Sequence, residues 1–89
     1  MTHAQLVKAI AQYLEMVGWL VIVFPRGGVP GLAGIPDLLA LRYPHVLPIE
    51  VKVGRDKPSA KQLAFAAELE RAGYPVLEAR SLDDVMGVA

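Results

Sequence analysis

Pro36-Asp37-Leu38-Leu39-Ala40-Leu41-Arg42-Tyr43-Pro44-His45-Val46-Leu47-Pro48-Ile49-Glu50-Val51-Lys52-Val53 is the stretch on which the fold of this 89-residue chain turns. Pro36 to Arg42 and Val46 to Val53 are apolar runs of strand length, and Tyr43-Pro44-His45 between them suits the turn of a β-hairpin. If the hairpin is centred between Tyr43 and Pro44, Asp37 opposes Glu50, with Cβ atoms about 5 Å apart. Lys52 lies two residues further along, on the same face as Glu50, because side chains alternate along a strand. A turn of odd length would shift every pair by one residue.

Two carboxylates that close repel each other unless a cation lies between them, and an all-oxygen pair selects a hard ion such as Mg²⁺ or Mn²⁺. A divalent ion beside an amine is suited to phosphodiester hydrolysis. An ion pair of Glu50 and Lys52 on a solvated strand face is the alternative. Against it, the flanking residues are almost all apolar, and charges inside such strands usually have a job.

Outward from the hairpin, the rest of the chain resolves into short elements. Upstream, Arg26-Gly27-Gly28-Val29-Pro30-Gly31-Leu32-Ala33-Gly34 is too rich in Gly and Pro for a regular element and reads as a loop. Trp19 to Phe24 reads as a buried strand stopped by Pro25. Before it, Thr2 and Gln5 form a capping box, and Leu6, Ile10, Tyr13, Leu14 and Val17 recur at helical spacing up to Gly18. Downstream, Ser59 and Gln62 open a second helix that runs through Phe65, Ala66 and Leu69 to Gly73. Pro75 to Ala79 gives a fourth strand, and Ser81 with Asp84 caps a closing helix. Trp19, Tyr13 and Phe65 are assigned to the core and His45 to the turn.

The order is αβββαβα, an α/β fold read as one domain over residues 1–89. It has no cysteine, so neither a disulfide nor a thiolate metal site holds it together. Cytoplasm is the default compartment for such a composition. No apolar run is long enough to span a membrane. Hydrophobic residues make up 54% of the sequence, high for so small a domain, and a symmetric homodimer is the economical way to bury the surplus.

Net charge is zero, which argues against binding nucleic acid by bulk electrostatics. Its distribution is uneven. Through Gln62 there are seven Lys/Arg against four acidic residues, and beyond it two against five. A phosphate backbone fits the first two-thirds better than the last.

Gly34-Ile35-Pro36-Asp37, then Ile49-Glu50-Val51-Lys52, then Pro58-Ser59 with Gln62, resembles the PD-(D/E)XK nuclease pattern, and in detail the VRR-NUC family. The match extends over nearly the whole chain. The resemblance implies a restriction-endonuclease-like αβββαβ core, with a mixed four-stranded sheet flanked by helices. It further implies Asp37 and Glu50 as metal ligands, the Val51 carbonyl as an additional one and Lys52 as the catalytic lysine. Stand-alone members of that family are small homodimers associated with cutting branched DNA such as four-way junctions.

One position departs from the family pattern. A Glu is usual near the start of the first helix, whereas His3 stands at the equivalent place here, with Gln5 the next candidate. A neutral imidazole as ligand would tilt preference from Mg²⁺ toward Mn²⁺. A solvated terminus is the other reading of His3. Gln62 can be a capping partner, a catalytic-site residue reaching Glu50 and Lys52, or both.

The Gly-rich loop with Arg26, Gly27 and Gly28 can follow DNA phosphates or merely connect two strands. Arg55, Lys57, Ser59 and Lys61 are the remaining phosphate contacts if DNA binds this face. Two further classes stay open: a non-catalytic DNA-binding or assembly module on the same fold, and a protein-interaction domain without DNA binding.

Overall fold

The structure is a computed structural model describing residues Met1–Ala89. Its first element, α1 (His3–Met16), begins where the Thr2 hydroxyl accepts from the Gln5 amide and the Gln5 side chain accepts from the Thr2 amide. This reciprocal pairing satisfies two donors that the helix start would otherwise leave free. Leu6, Ile10 and Leu14, spaced by four, are buried along one stripe with Ala11. The helix ends in a Schellman motif, with the Trp19 and Gly18 amides donating to the Leu14 and Glu15 carbonyls. Gly18 has φ +98°, a conformation that a side chain would strain.

Four strands follow from the apolar runs: β1 (Leu20–Val23), β2 (Leu38–Arg42), β3 (His45–Val51) and β4 (Leu77–Ala79). They form one mixed sheet in the order β1-β2-β3-β4, antiparallel except for the parallel β3–β4 pair. The parallel pair requires a crossover, which α2 (Ala60–Arg71) supplies. A short α3 (Leu82–Met86) closes the chain. Leu38 opposes Ile49 and Arg42 opposes His45, so Tyr43-Pro44 is a two-residue turn with the register expected from its centre.

Alternation then divides the central strands. Leu38, Ala40, Ile49 and Val51 are fully buried in a cluster with Leu6, Ile10, Leu14 and, from α3, Val85. Truncating Ile10 or Leu14 to Ala would cost about 2–5 kcal/mol. Asp37, Glu50 and Lys52 fall in the opposite alternation. Thus one face of the hairpin makes the core and the other carries the charge.

Three expectations need correction. β1 is not a buried strand: Leu20, Ile22 and Val23 are exposed, because β1 is a sheet edge and only Val21 packs on the core. Phe65 is outside the core, and no residue of α2 is buried. The reason is that α2 stands off: no Cα of this helix lies within 8 Å of a Cα in another helix or strand. A cavity of about 170 Å³ lies beneath it, lined by Glu50, Glu78, Leu63 and Ala66 among others. His45 is the first residue of β3, with its ring 6.5 Å from that of Trp19, and the turn itself is Tyr43-Pro44.

No helix is long and apolar enough to cross a membrane.

Candidate active site

Asp37 sits one residue before β2, after the Gly- and Pro-rich loop has returned to the sheet. Its backbone carbonyl accepts from the Phe24 amide at 2.9 Å, which fixes the loop's two ends side by side. The Asp37 Oδ2 accepts from the Val51 amide at 2.8 Å and lies 3.3 Å from the His3 Nε2. Both side chains are largely buried, at 15% and 12% exposure. α1 therefore delivers His3 to the hairpin carboxylate. Gln5 is committed to the Thr2 cap and exposed, so of the two candidates on the first turn only His3 meets Asp37.

Glu50 and Lys52 are buried, at 6% and 8% exposure. A carboxylate and an ammonium can be buried at tolerable cost only when their hydrogen-bonding capacity is met. Gln62 meets it. Its Nε2 donates to the Glu50 Oε1 at 3.2 Å, and its Oε1 accepts from the Lys52 Nζ at 2.8 Å. The same Oε1 accepts from the Ser59 amide at 2.9 Å, while the Gln62 amide donates to the Ser59 hydroxyl at 3.1 Å. Gln62 thus caps α2 and bridges the buried carboxyl and ammonium groups with a single side chain. Lys52 Nζ stands 3.8 Å from the Glu50 carboxylate itself.

Burial pushes the Glu50 carboxyl up to about 8, and the adjacent Asp37 carboxylate adds to the shift through a hydrogen bond and its charge. Lys52 opposes the shift, and Glu78, paired with Glu50 across β3 and β4, reinforces it. Without a cation, Glu50 therefore holds a proton at neutral pH. No three His, Cys, Asp or Glu side chains converge to make a closed metal cage. A cation between Asp37 and Glu50 would take its other ligands from backbone, solvent or a bound phosphate, as Mg²⁺ commonly does.

A cleft of about 740 Å³ opens beside Asp37. Arg26, Gly27 and Gly28 are on its loop wall, and Ser59, Lys61 and Gln62 are on its helix wall. The structure thus brings together His3, Asp37, Glu50, Val51, Lys52, Ser59 and Gln62, with Arg26, Gly27, Gly28 and Lys61 along the adjoining cleft. Arg55 and Lys57 are exposed on the connection from β3 to α2 and line none of it.

Two residues escaped the sequence reading. Glu78 reaches the neighbourhood of Glu50 through the parallel register of β4, which no local pattern announces. Arg80 pins the β3–α2 connection, donating to the carbonyls of Gly54 at 3.2 Å and Asp56 at 2.8 Å.

No protein-family model and no curated protein matches the sequence. Among solved structures, one described as "VRR_NUC domain" superposes with a TM-score of 0.81 at 26% identity, covering 97% of this chain and 91% of that one. Another, "VRR_NUC domain protein", gives a TM-score of 0.77 at 23% identity, covering 99% and 84%.

Proposed function

We propose that this chain, which has the nuclease-type fold of VRR-NUC domains, is a divalent-metal-dependent DNA endonuclease whose single domain comprises residues 1–89. The observation that carries the reading is the buried Glu50–Gln62–Lys52 network next to Asp37. A fold tolerates a buried carboxyl, a buried ammonium and a bridging amide more readily where they serve chemistry than where apolar residues would pack as well.

Asp37 and Glu50 are the carboxylates that would hold Mg²⁺ or Mn²⁺, with the Val51 carbonyl as a further donor; the His3 imidazole, 3.3 Å from the Asp37 Oδ2, would join them only if that contact opened toward the ion. The fit rests on the donor chemistry. Two close carboxylates, one retaining its proton at neutral pH, gain most from a cation that replaces the proton. When bound, the ion would neutralise the scissile phosphate and lower the pKa of a water. Lys52 orients the attacking water and offsets negative charge building on the phosphate. Gln62 keeps Lys52 directed to that point while holding Glu50 in register. The His3 imidazole contacts the Asp37 Oδ2, the same oxygen that accepts from the Val51 amide.

DNA lies along the cleft. The Arg26 guanidinium and the Gly27 and Gly28 amides meet phosphates on one wall, Ser59 and Lys61 on the other, and Arg55 and Lys57 reach flanking phosphates outside it. With zero net charge, these contacts are local. The preferred substrate is branched DNA such as a four-way junction. It is cut by a homodimer that presents two clefts and covers exposed apolar side chains such as Leu20 and Val23. The enzyme acts in the cytoplasm.

The test is cleavage of labelled four-way junction, flap, duplex and single-stranded DNA by wild type and Lys52→Ala, with Mg²⁺, Mn²⁺ or EDTA. Cutting that needs metal and disappears in the variant is expected, fastest on the junction. Metal-independent cutting, or equal cutting by Lys52→Ala, overturns the mechanism.

A further inference from the structure

We propose that Gly34 is a positioning residue for the site: by having no side chain, it lets the loop before Asp37 seat the first turn of α2 and so places Gln62 between Glu50 and Lys52. Gly34 has φ +86°, and a Cβ built on it would lie 2.2 Å from the Lys61 carbonyl oxygen, 2.5 Å from the Lys61 carbonyl carbon and 2.9 Å from the Gln62 amide nitrogen. All three are backbone atoms, so no side-chain rotation relieves the overlap. A methyl group there must push the helix start away from the loop.

That displacement acts where α2 is least able to resist it. The helix makes no close backbone approach to the sheet or to either other helix, and it contributes nothing to the core cluster. Its ties to the catalytic strand are the two hydrogen bonds of Gln62, to Glu50 at 3.2 Å and from Lys52 at 2.8 Å. The first lies at the outer end of the usual hydrogen-bond range and the second toward its short end, and a shift of about 1 Å takes both out of it. Moving the helix start therefore removes Gln62 from the network while the hydrophobic core stays intact. Gly34 borders the cleft but brings no side chain to it, and its role in the site runs through the placement of Gln62.

The effect on cleavage rests on the nuclease reading, so the experiment carries a second readout. Gly34→Ala, Gln62→Ala, the double variant and Gly31→Ala are compared by NMR of the Gln62 side-chain NH₂ group, assigned by its loss in Gln62→Ala, and by kcat on a DNA substrate. Gly31 has φ +83° in the same loop and also borders the cleft, with nothing within 4 Å of its would-be Cβ, so in the NH₂ readout Gly31→Ala reports the cost of backbone strain without a clash. The expected result is a folded Gly34→Ala whose Gln62 NH₂ signal moves to its solvent-exposed position, while Gly31→Ala keeps it.

In cleavage, Gly34→Ala and Gln62→Ala each lose about 100-fold in kcat, the scale of a misplacement of roughly 1 Å, and the double variant loses no more than either. An unmoved signal in Gly34→Ala, an equal movement in Gly31→Ala, an unfolded Gly34→Ala or multiplied losses in the double variant overturns the proposal. If wild type cuts no DNA, the nuclease reading falls and the NH₂ signal alone decides the role of Gly34.

Discussion

Lys52, just past the end of β3, and Gln62, in the first turn of α2, are joined by a 2.8 Å hydrogen bond from the Lys52 ammonium to the Gln62 side-chain oxygen. An ammonium has three donors and a strong preference for water, so at 8% exposure it needs fixed acceptors. The bond makes the direction of Lys52 a property of where α2 begins.

Removing the ammonium tests this directly. Lys52→Ala should lower kcat by about 100-fold or more while DNA affinity changes little, because in the proposed mechanism the residue acts on charge that develops in the reaction. Single-turnover cleavage and a binding titration in EDTA separate the two. Unchanged kcat would exclude Lys52 from the chemistry.

The Glu50 carboxyl predicts a pH dependence of stability. Its pKa is about 8 in the folded protein against 4.5 for the ordinary group. The folded state keeps the proton that the unfolded chain releases, so the stability this group contributes is present below pH 4.5 and is lost as pH rises through 8. In EDTA, the melting temperature should fall over that interval, and Glu50→Gln should flatten the decline. A wild-type profile that rises from pH 5 to 8 with the same slope in Glu50→Gln would contradict the assignment.

Metal binding should show the opposite trend. If the ion takes the place of that proton, as proposed, apparent affinity for Mn²⁺, measured by calorimetry in buffers of different ionisation enthalpy, should increase with pH up to about 8, and binding below that pH should release a proton. Asp37→Asn should abolish the heat. The contact of His3 with Asp37 adds a second metal prediction: His3→Glu should raise the ratio of Mg²⁺-supported to Mn²⁺-supported activity, because oxygen suits Mg²⁺ better than nitrogen does. An unchanged ratio places His3 away from the ion.

Along the cleft, Arg26→Ala and Lys61→Ala should each weaken DNA binding and reduce the slope of log K against log salt by roughly one, whereas Arg55→Ala and Lys57→Ala, outside the cleft, should change it less. Fluorescence anisotropy from low to moderate salt reads both. Equal effects for all four would mean that the DNA does not follow the cleft.

Much of this architecture was legible because local rules determine it. A two-residue turn at Tyr43-Pro44 fixes the parity of the hairpin, and parity alone puts Asp37, Glu50 and Lys52 on one face and Leu38, Ile49 and Val51 on the other. The caps at Thr2 and Ser59 were readable for the same reason, their partners lying three residues away. What escaped depends on distant packing. Phe65 has the spacing of an inward residue, yet whether a helix lies down on a sheet depends on what fills the gap, and here that gap is lined by Glu50, Glu78 and Gln62. The apolar run of β1 likewise reads the same at an edge as in the middle of a sheet, and only strand order distinguishes them. Gly34 was visible as part of a motif, but its contact with Lys61 exists only in three dimensions.

Because α2 shares no buried residue with the rest of the molecule, its opening does not require the core to open. Amide protons of Ile49 and Val51 should exchange with solvent only through global unfolding, and those in the middle of α2 through a cheaper local excursion. The lysine and the glutamine that directs it therefore belong to regions of unequal persistence. A bound substrate that bridges Arg26 and Lys61 would slow exchange in α2 far more than in β3, converting a separately melting helix into part of one cooperative unit.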